Sequence, residues 1–289
     1  LADGAGIPTY FLHAGGNLAH RLQTLMVGRD HTFRFYPALL RHWARFRSRP
    51  VPPALVRIVT DHFVELLSGR SGFVYSARKG AAPISIRERF AIGPDARILV
   101  ATLGSYDEEF AAETVGARVH DRPPVFPTQA DWVRALCEFA AARPDLFLIV
   151  RVHPREFPNR REQVQSQHAD LLREALTNLP VNVRVNWPDD KISLYELAEE
   201  TDVFLNSWSS VGKEMSLLGL PVVTYAPELL FFPPELNYPA YTRKQYFVMI
   251  DKALADGWSA ERIRFAYRWL AIEYGYGLID IGDGYKERE

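Results

Sequence analysis

Residues Asp202–Tyr225 read DVFLNSWSSVGKEMSLLGLPVVTY: a strand, a hydroxyl-rich turn, a helix and a second strand in immediate succession. Asp202–Leu205 is a short apolar run and Asn206–Ser210 is the turn. Val211–Leu218 has helical spacing, Gly219 is a natural stop, and Pro221–Tyr225 is a β-branched run of the kind that is buried. A helix start exposes unpaired backbone N–H groups and a partial positive charge. Ser207, Ser209, Ser210 and Gly212 placed there make a cradle for an anion, with phosphate the first candidate. Glu214, one turn inside the helix, is positioned to accept hydrogen bonds from ribose hydroxyls. The competing reading is an ordinary capped helix in a Rossmann-like domain, and both stay open on this segment alone.

The pattern extends outward from this segment. Arg97–Leu103 (RILVATL) reads as a strand followed by a Gly104–Ser105 turn, and Ala130–Ala142 as a helix stopping before Pro144. Leu146–Val152 (LFLIVRV) is a buried strand ending at His153–Pro154. Arg160–Leu176 is a helix, Val181–Val185 a strand and Ile192–Glu199 a short helix. Thr242–Ala255 and Ala260–Tyr274 close the chain as helices. Strands alternating with helices predict parallel βαβ units with right-handed crossovers, and such sheets bind ligands at the carboxyl ends of their strands. Three polar loops fall there: Gly104–Glu109, His153–Glu156 and Asn206–Ser210. The first ninety or so residues lack this alternation; Pro50–Pro53 reads as a breaker and Val56–Leu67 as a helix ending near Gly69.

Among 289 residues, 47% are apolar and 24% charged, the composition of an ordinary soluble globular protein. A formal charge of −1 gives no general case for nucleic-acid binding. Cys137 is the only cysteine, which excludes a disulfide framework and a cysteine-rich zinc site; its helix setting predicts a buried thiol. No apolar run approaches the roughly 20 residues of a membrane span. No signal peptide is visible, and the start at Leu1 points to a missing upstream region. The expected compartment is the cytoplasm, at the inner face of its membrane if Arg29–Arg57 makes contact there. That segment holds seven arginines interleaved with Phe33, Phe35, Tyr36, Trp43 and Phe46. It suits an anionic acceptor or lipid headgroups, or simply forms a solvated basic face with its aromatics turned inward.

Arg151-Val-His-Pro-Arg-Glu156 is the second signal. Pro154 stops the strand and fixes the loop direction. His153 can donate to a phosphate oxygen or leaving group, and Arg151 and Arg155 can pair with phosphate. Asp107 and Glu108, after the Gly104–Ser105 turn, are candidates for general base or nucleophile, against the alternative of a helix start capped by Ser105. Trp187, opening WPDD, either offers its backbone to a nucleobase edge or begins a capped turn. The G-x-G-x-x-G and Walker A patterns are absent, no H-E-x-x-H spacing suggests zinc, and Asp189–Asp190 lacks the Asp-x-Asp spacing of metal-dependent sugar transferases. The expectation is a site without metal or cofactor.

With these motifs placed, the chain resembles the nucleotide-binding half of GT-B glycosyltransferases, in which a glutamate is followed by glycine five residues on and proline seven on. Here these are Glu214, Gly219 and Pro221, and the resemblance implies that Glu214 binds the donor ribose. The His153–Pro154 pair with Ser209–Ser210 downstream is similar to bacterial transferases using cytidine nucleotides. These are capsule Kdo transferases of the KpsC/KpsS type, sialyl- and polysialyltransferases, and CDP-glycerol glycerophosphotransferases. The resemblance implies nucleotide-phosphate contacts for His153, Pro154, Ser209 and Ser210. It covers about Arg97–Ala226. Ser207–Trp208 stands where the glycerophosphotransferases carry aspartate and tyrosine, which favours a sugar.

The expected architecture is therefore α/β and GT-B-like: a partial acceptor-side domain over 1–92, a Rossmann-type nucleotide-sugar domain over 93–241, and closing helices over 242–289. The expected activity is transfer of Kdo or a related sugar from a nucleotide donor, CMP-sugar ahead of UDP-sugar, to a surface polysaccharide or glycolipid. A nucleotide-sugar epimerase, a CDP-glycerol-type phosphotransferase and a non-catalytic capsule-assembly module are the alternatives.

Overall fold

A computed structural model of the chain describes residues 3–29, 32–69, 71, 73–78, 80, 84–105, 110, 114, 123–159 and 163–282. Its elements begin with β1 (Tyr10–Ala14), β2 (Thr24–Arg29), α1 (Thr32–Phe46), α2 (Pro53–Ser68) and α3 (Ile86–Phe90). The alternating part follows as β3 (Arg97–Thr102), α4 (Gln129–Ala141), β4 (Leu146–Arg151), α5 (His168–Ala175), β5 (Val183–Asn186), α6 (Leu194–Ala198), β6 (Val203–Asn206), α7 (Val211–Leu217) and β7 (Val222–Thr224). Then come β8 (Tyr238–Pro239), α8 (Arg243–Asp256), α9 (Ala260–Gly275) and β9 (Ile279–Asp280).

The strands β5-β4-β3-β6-β7-β8 form one sheet in that spatial order, every pair parallel. The α/β parallel sheet expected from the sequence is thus present. The chain winds outward from β3 to β5, then returns to lay β6 on the other side of β3. That reversal makes the β3/β6 boundary the topological switch point, where a crevice opens beyond the strand ends. Strand residues alternate between two cores, as a period of two requires. Leu99 and Ala101 join Leu136, Val150, Leu205 and Ile250 on one face; Ile98 and Val100 join Ile149, Phe204 and Met215 on the other. A third core gathers Leu39, Trp43, Val59, Leu217, Trp269 and Leu270, so α9 packs the chain's end against α1, α2 and α7. A separate antiparallel sheet, β1-β2-β9, closes the same circuit.

Several boundaries differ from the sequence reading. The Pro50–Pro53 breaker overlaps the start of α2, because Pro53 occupies the first helical position, where a missing N–H costs nothing. The helix expected from Arg160 begins at His168; residues 160–162 lie outside the described ones. Ser166 is held short of it, its N–H donating to Glu156 O at 2.9 Å and its hydroxyl to the Glu156 carboxylate. Cys137 is half-buried on α4, and burial pushes its thiol up to about 11.

Candidate functional site

The exits of β3, β4 and β6 meet a cavity of about 320 Å³ at the switch point. Thr102 and Leu103 reach it from β3, Arg151, His153 and Pro154 from β4, and Ser209, Ser210, Lys213 and Glu214 from the turn and helix after β6. The sequence places the first and last of these more than one hundred positions apart, and the parallel topology brings them to one edge.

The turn itself is built by Asn206, which is fully buried and donates from Nδ2 to Ser209 O at 2.9 Å while its Oδ1 accepts the Ser209 hydroxyl at 3.1 Å. Both oxygens of Glu214 are engaged. Ser210 Oγ donates to Oε1 at 2.6 Å and the Tyr195 phenol to Oε2 at 3.0 Å. Tyr195 is placed by α6, whose start is closed by the reciprocal bonds of Ser193 and Glu196. Burial, and then the adjacent Glu214 charge, push the Tyr195 phenol well above its usual range, so it stays a donor.

His153 caps the short 3₁₀ turn Pro154–Glu156, its Nδ1 accepting the Arg155 backbone N–H at 3.2 Å. In the neutral ring the proton then resides on Nε2, which makes that atom the donor. The ring lies 5.5 Å from the Tyr75 ring, and the Arg155 guanidinium lies 5.9 Å from the same ring. Arg151 points its charge at structure: it donates to Asn186 Oδ1 and, at 3.0 Å, to Ile192 O, and burial lowers it to about 10, still cationic at neutral pH. It joins β4 to β5 and to the approach to α6.

The opposite wall comes from parts of the chain in which the sequence reading named no site residue. Gly16, Leu18, Arg21, His62, Tyr75 and Tyr274 line it. His62 Nδ1 accepts the Leu18 N–H at 3.0 Å and its Nε2 faces Tyr274 Oη at 3.1 Å. Burial, assisted by the Lys213 charge, lowers His62 to about 3, so the ring is neutral and its Nε2–H donates to Tyr274. Lys213 Nζ binds both oxygens of Glu273, at 2.8 and 3.0 Å, with the two side chains only 13% and 3% exposed. The signals that announce this wall are buried polar residues in apolar helices, such as His62 in α2 and Glu273 in α9.

Other expected site residues lie elsewhere. Gly212 is buried behind the cavity; an added Cβ would stand 2.6 Å from Phe232 Cζ and closer still to Asn237 Oδ1. Ser207 is 4% exposed and Ser105 3%, while Gly104 binds its N–H to Gln129 Oε1 at 2.8 Å. Trp187 is edge-on to Phe157 at 5.8 Å and opens a capped turn in which its N–H donates to Asp190 Oδ2. Asp107 and Glu108 lie outside the described residues. Helix α7 has seven residues, so its dipole is small and the side chains around it carry more of any anion recognition. Among the described residues, no three His, Cys, Asp or Glu side chains gather as a metal site, and no helix is long and apolar enough to cross a membrane.

No family model and no curated protein matches the sequence. Among solved structures, the chain is similar to KpsC of Thermosulfurimonas dismutans, a beta Kdo 2,4 transferase, at 14% identity over 92% of this chain and 73% of that one, TM-score 0.47. It is similar to the spinosyn rhamnosyltransferase SpnG complexed with thymidine diphosphate (16% identity, 73% of this chain, 48% of that one, TM-score 0.40). A putative UDP-N-acetylglucosamine 2-epimerase from Listeria monocytogenes is a third (13%, 65%, 43%, TM-score 0.38). The chain spans under half of the latter two. At these identities the likeness concerns fold alone.

Proposed function

We propose that the chain is a glycosyltransferase that moves a sugar, Kdo or a relative, from a nucleotide donor to a bacterial surface polysaccharide or glycolipid, with a CMP-sugar ahead of a UDP-sugar. The observation that supports this reading is the meeting of His153, Ser209, Ser210 and Glu214 around one cavity at the switch point of a parallel sheet. A cavity of this size at this place suits a small polar ligand held by a few directed groups.

In this reading the donor phosphate takes hydrogen bonds from the His153 Nε2–H and from the Ser209 turn, and Glu214 holds the ribose. The bond between the anomeric carbon and the phosphate oxygen breaks, its electron pair leaving with the nucleotide. An acceptor hydroxyl bonds to that carbon and gives up its proton to a base, for which Asp107 and Glu108 are the candidates. Catalysis comes chiefly from donors already aimed at the charge growing on the departing phosphate. Arg155 adds positive charge beside Tyr75, and the Arg29–Arg57 segment is offered as the face toward an anionic membrane or acceptor.

A thermal-shift panel of CMP, CDP, UDP and NAD tests the donor assignment, with stabilisation by CMP or CDP expected. Stabilisation by none of the four would overturn it. Mass analysis of products distinguishes transfer, which adds a sugar to the acceptor, from epimerisation, which leaves the donor mass unchanged.

A further inference from the structure

A second and larger cavity, of about 690 Å³, opens at the same edge of the sheet. Trp208 lines it, whereas the adjacent Ser209 and Ser210 line the first. Tyr225 enters from the exit of β7, Gln129 from the start of α4, His168 and Glu174 from α5, and Glu228 from the turn after β7. The two cavities adjoin at the turn after β6, where the consecutive Trp208 and Ser209 line one each. Gly104 N–H donates to Gln129 Oε1 at 2.8 Å, which fixes the amide so that Gln129 Nε2 donates to His168 Nε2 at 3.3 Å.

Charge sets the two cavities apart. Asp131 and Arg134, which also line the second, pair with each other at 3.0 Å. Burial lowers His168, against the weaker pull of Glu156, and its Nε2 serves as an acceptor, so the ring is neutral. Glu174 and Glu228 are exposed, and among the described residues neither forms an ion pair. Among the described lining residues the charges left unpaired are thus the two carboxylates of Glu174 and Glu228, and the lining includes two large rings, Trp208 and Tyr225, Trp208 being braced edge-on by Phe231 at 6.5 Å. A nucleotide or sugar acid would be repelled there. A pyranose presents C–H faces that suit indole and phenol rings and hydroxyls that donate to carboxylates, and an amino group adds attraction to the same two charges.

We propose that this cavity binds a neutral or amino-bearing sugar unit of the acceptor, which rests on reading the first cavity as the donor site. Because Trp208 and Ser209 are consecutive, a sugar held here lies next to the proposed donor site. The test measures D-glucosamine, N-acetylglucosamine and D-glucuronate binding by NMR titration, in the wild type and in Glu174→Gln/Glu228→Gln, with the CMP thermal shift recorded in parallel. Glucosamine and N-acetylglucosamine are expected to bind and glucuronate to bind more weakly. The double variant is expected to lose about tenfold or more in glucosamine affinity, the scale of hydrogen bonds to charged groups, while CMP stabilisation is kept. Failure of all three sugars to bind, tighter binding of glucuronate, or an unchanged double variant would overturn the proposal. Sugar binding without any nucleotide stabilisation would support this cavity while removing the donor reading.

Discussion

His153 Nδ1 accepts the backbone N–H of Arg155 at 3.2 Å, and this bond leaves the proton of the neutral ring on Nε2. A histidine locked in this way presents one tautomer to its ligand and loses little entropy on binding. In the proposed reading His153→Ala removes a donor to the leaving phosphate, and turnover is expected to fall by about 10²–10³. Circular dichroism and the unfolding midpoint are expected to change little, because the residue lines a cavity and closes only a short turn. Near-normal transfer by this variant would withdraw the assignment.

Glu214 is held by Ser210 and Tyr195, so the carboxylate is fixed before any ribose arrives. Glu214→Gln keeps the shape and removes the charge. Nucleotide affinity is expected to drop about tenfold or more, the scale of a charge-assisted hydrogen bond. Tyr195→Phe, which only frees the carboxylate to wander, is expected to cost less. Calorimetric titration with CMP ranks the two; equal affinities across wild type and both variants would remove Glu214 from the ribose.

The Lys213–Glu273 pair ties α7 to α9 inside the cavity wall. Lys213→Met strands a carboxylate that is 3% exposed, and stability is expected to fall by about 3–5 kcal/mol. Lys213→Met/Glu273→Met removes both charges and is expected to recover much of the loss. Urea unfolding of the single and double variants measures this. Equal destabilisation by both would show that packing, not an orphaned charge, sets the cost.

His62 has a folded-state value of about 3, against about 6.5 when unfolded. Between these values the unfolded chain binds a proton that the folded chain refuses, so stability falls as pH falls, by roughly 1.4 kcal/mol per unit. Below about 3 both states are protonated and the contribution is gone. His168, also lowered by burial, acts in the same direction. Urea midpoints at pH 7 and pH 5 are expected to differ less in His62→Gln than in the wild type; identical slopes would contradict the neutral, buried ring.

The strands were legible because β3, β4, β6 and β7 are apolar runs bounded by turn residues, and parallel topology then forces their exits to one edge. That is why His153, Ser209, Ser210 and Glu214 converge as expected. Strand order was not legible, since no residue in β3 announces that β6 rather than β7 will lie beside it. Arg151 and Gly212 carried the right residue types in the right motif, yet their settings depend on Asn186 and Phe232, remote in sequence. The far wall was hidden for the same reason: Leu18 meets His62 across 44 positions, and His62 meets Tyr274 across 212. Local periodicity carries no trace of such contacts.

The most direct measurement is a crystal structure of the protein soaked with CMP. Phosphate density is expected in the cavity of about 320 Å³, within hydrogen-bond reach of His153 Nε2 and the Ser209–Ser210 turn, with ribose hydroxyls on Glu214. Nucleotide density in any other place, or a nucleotide with its phosphate turned away from His153, would contradict it.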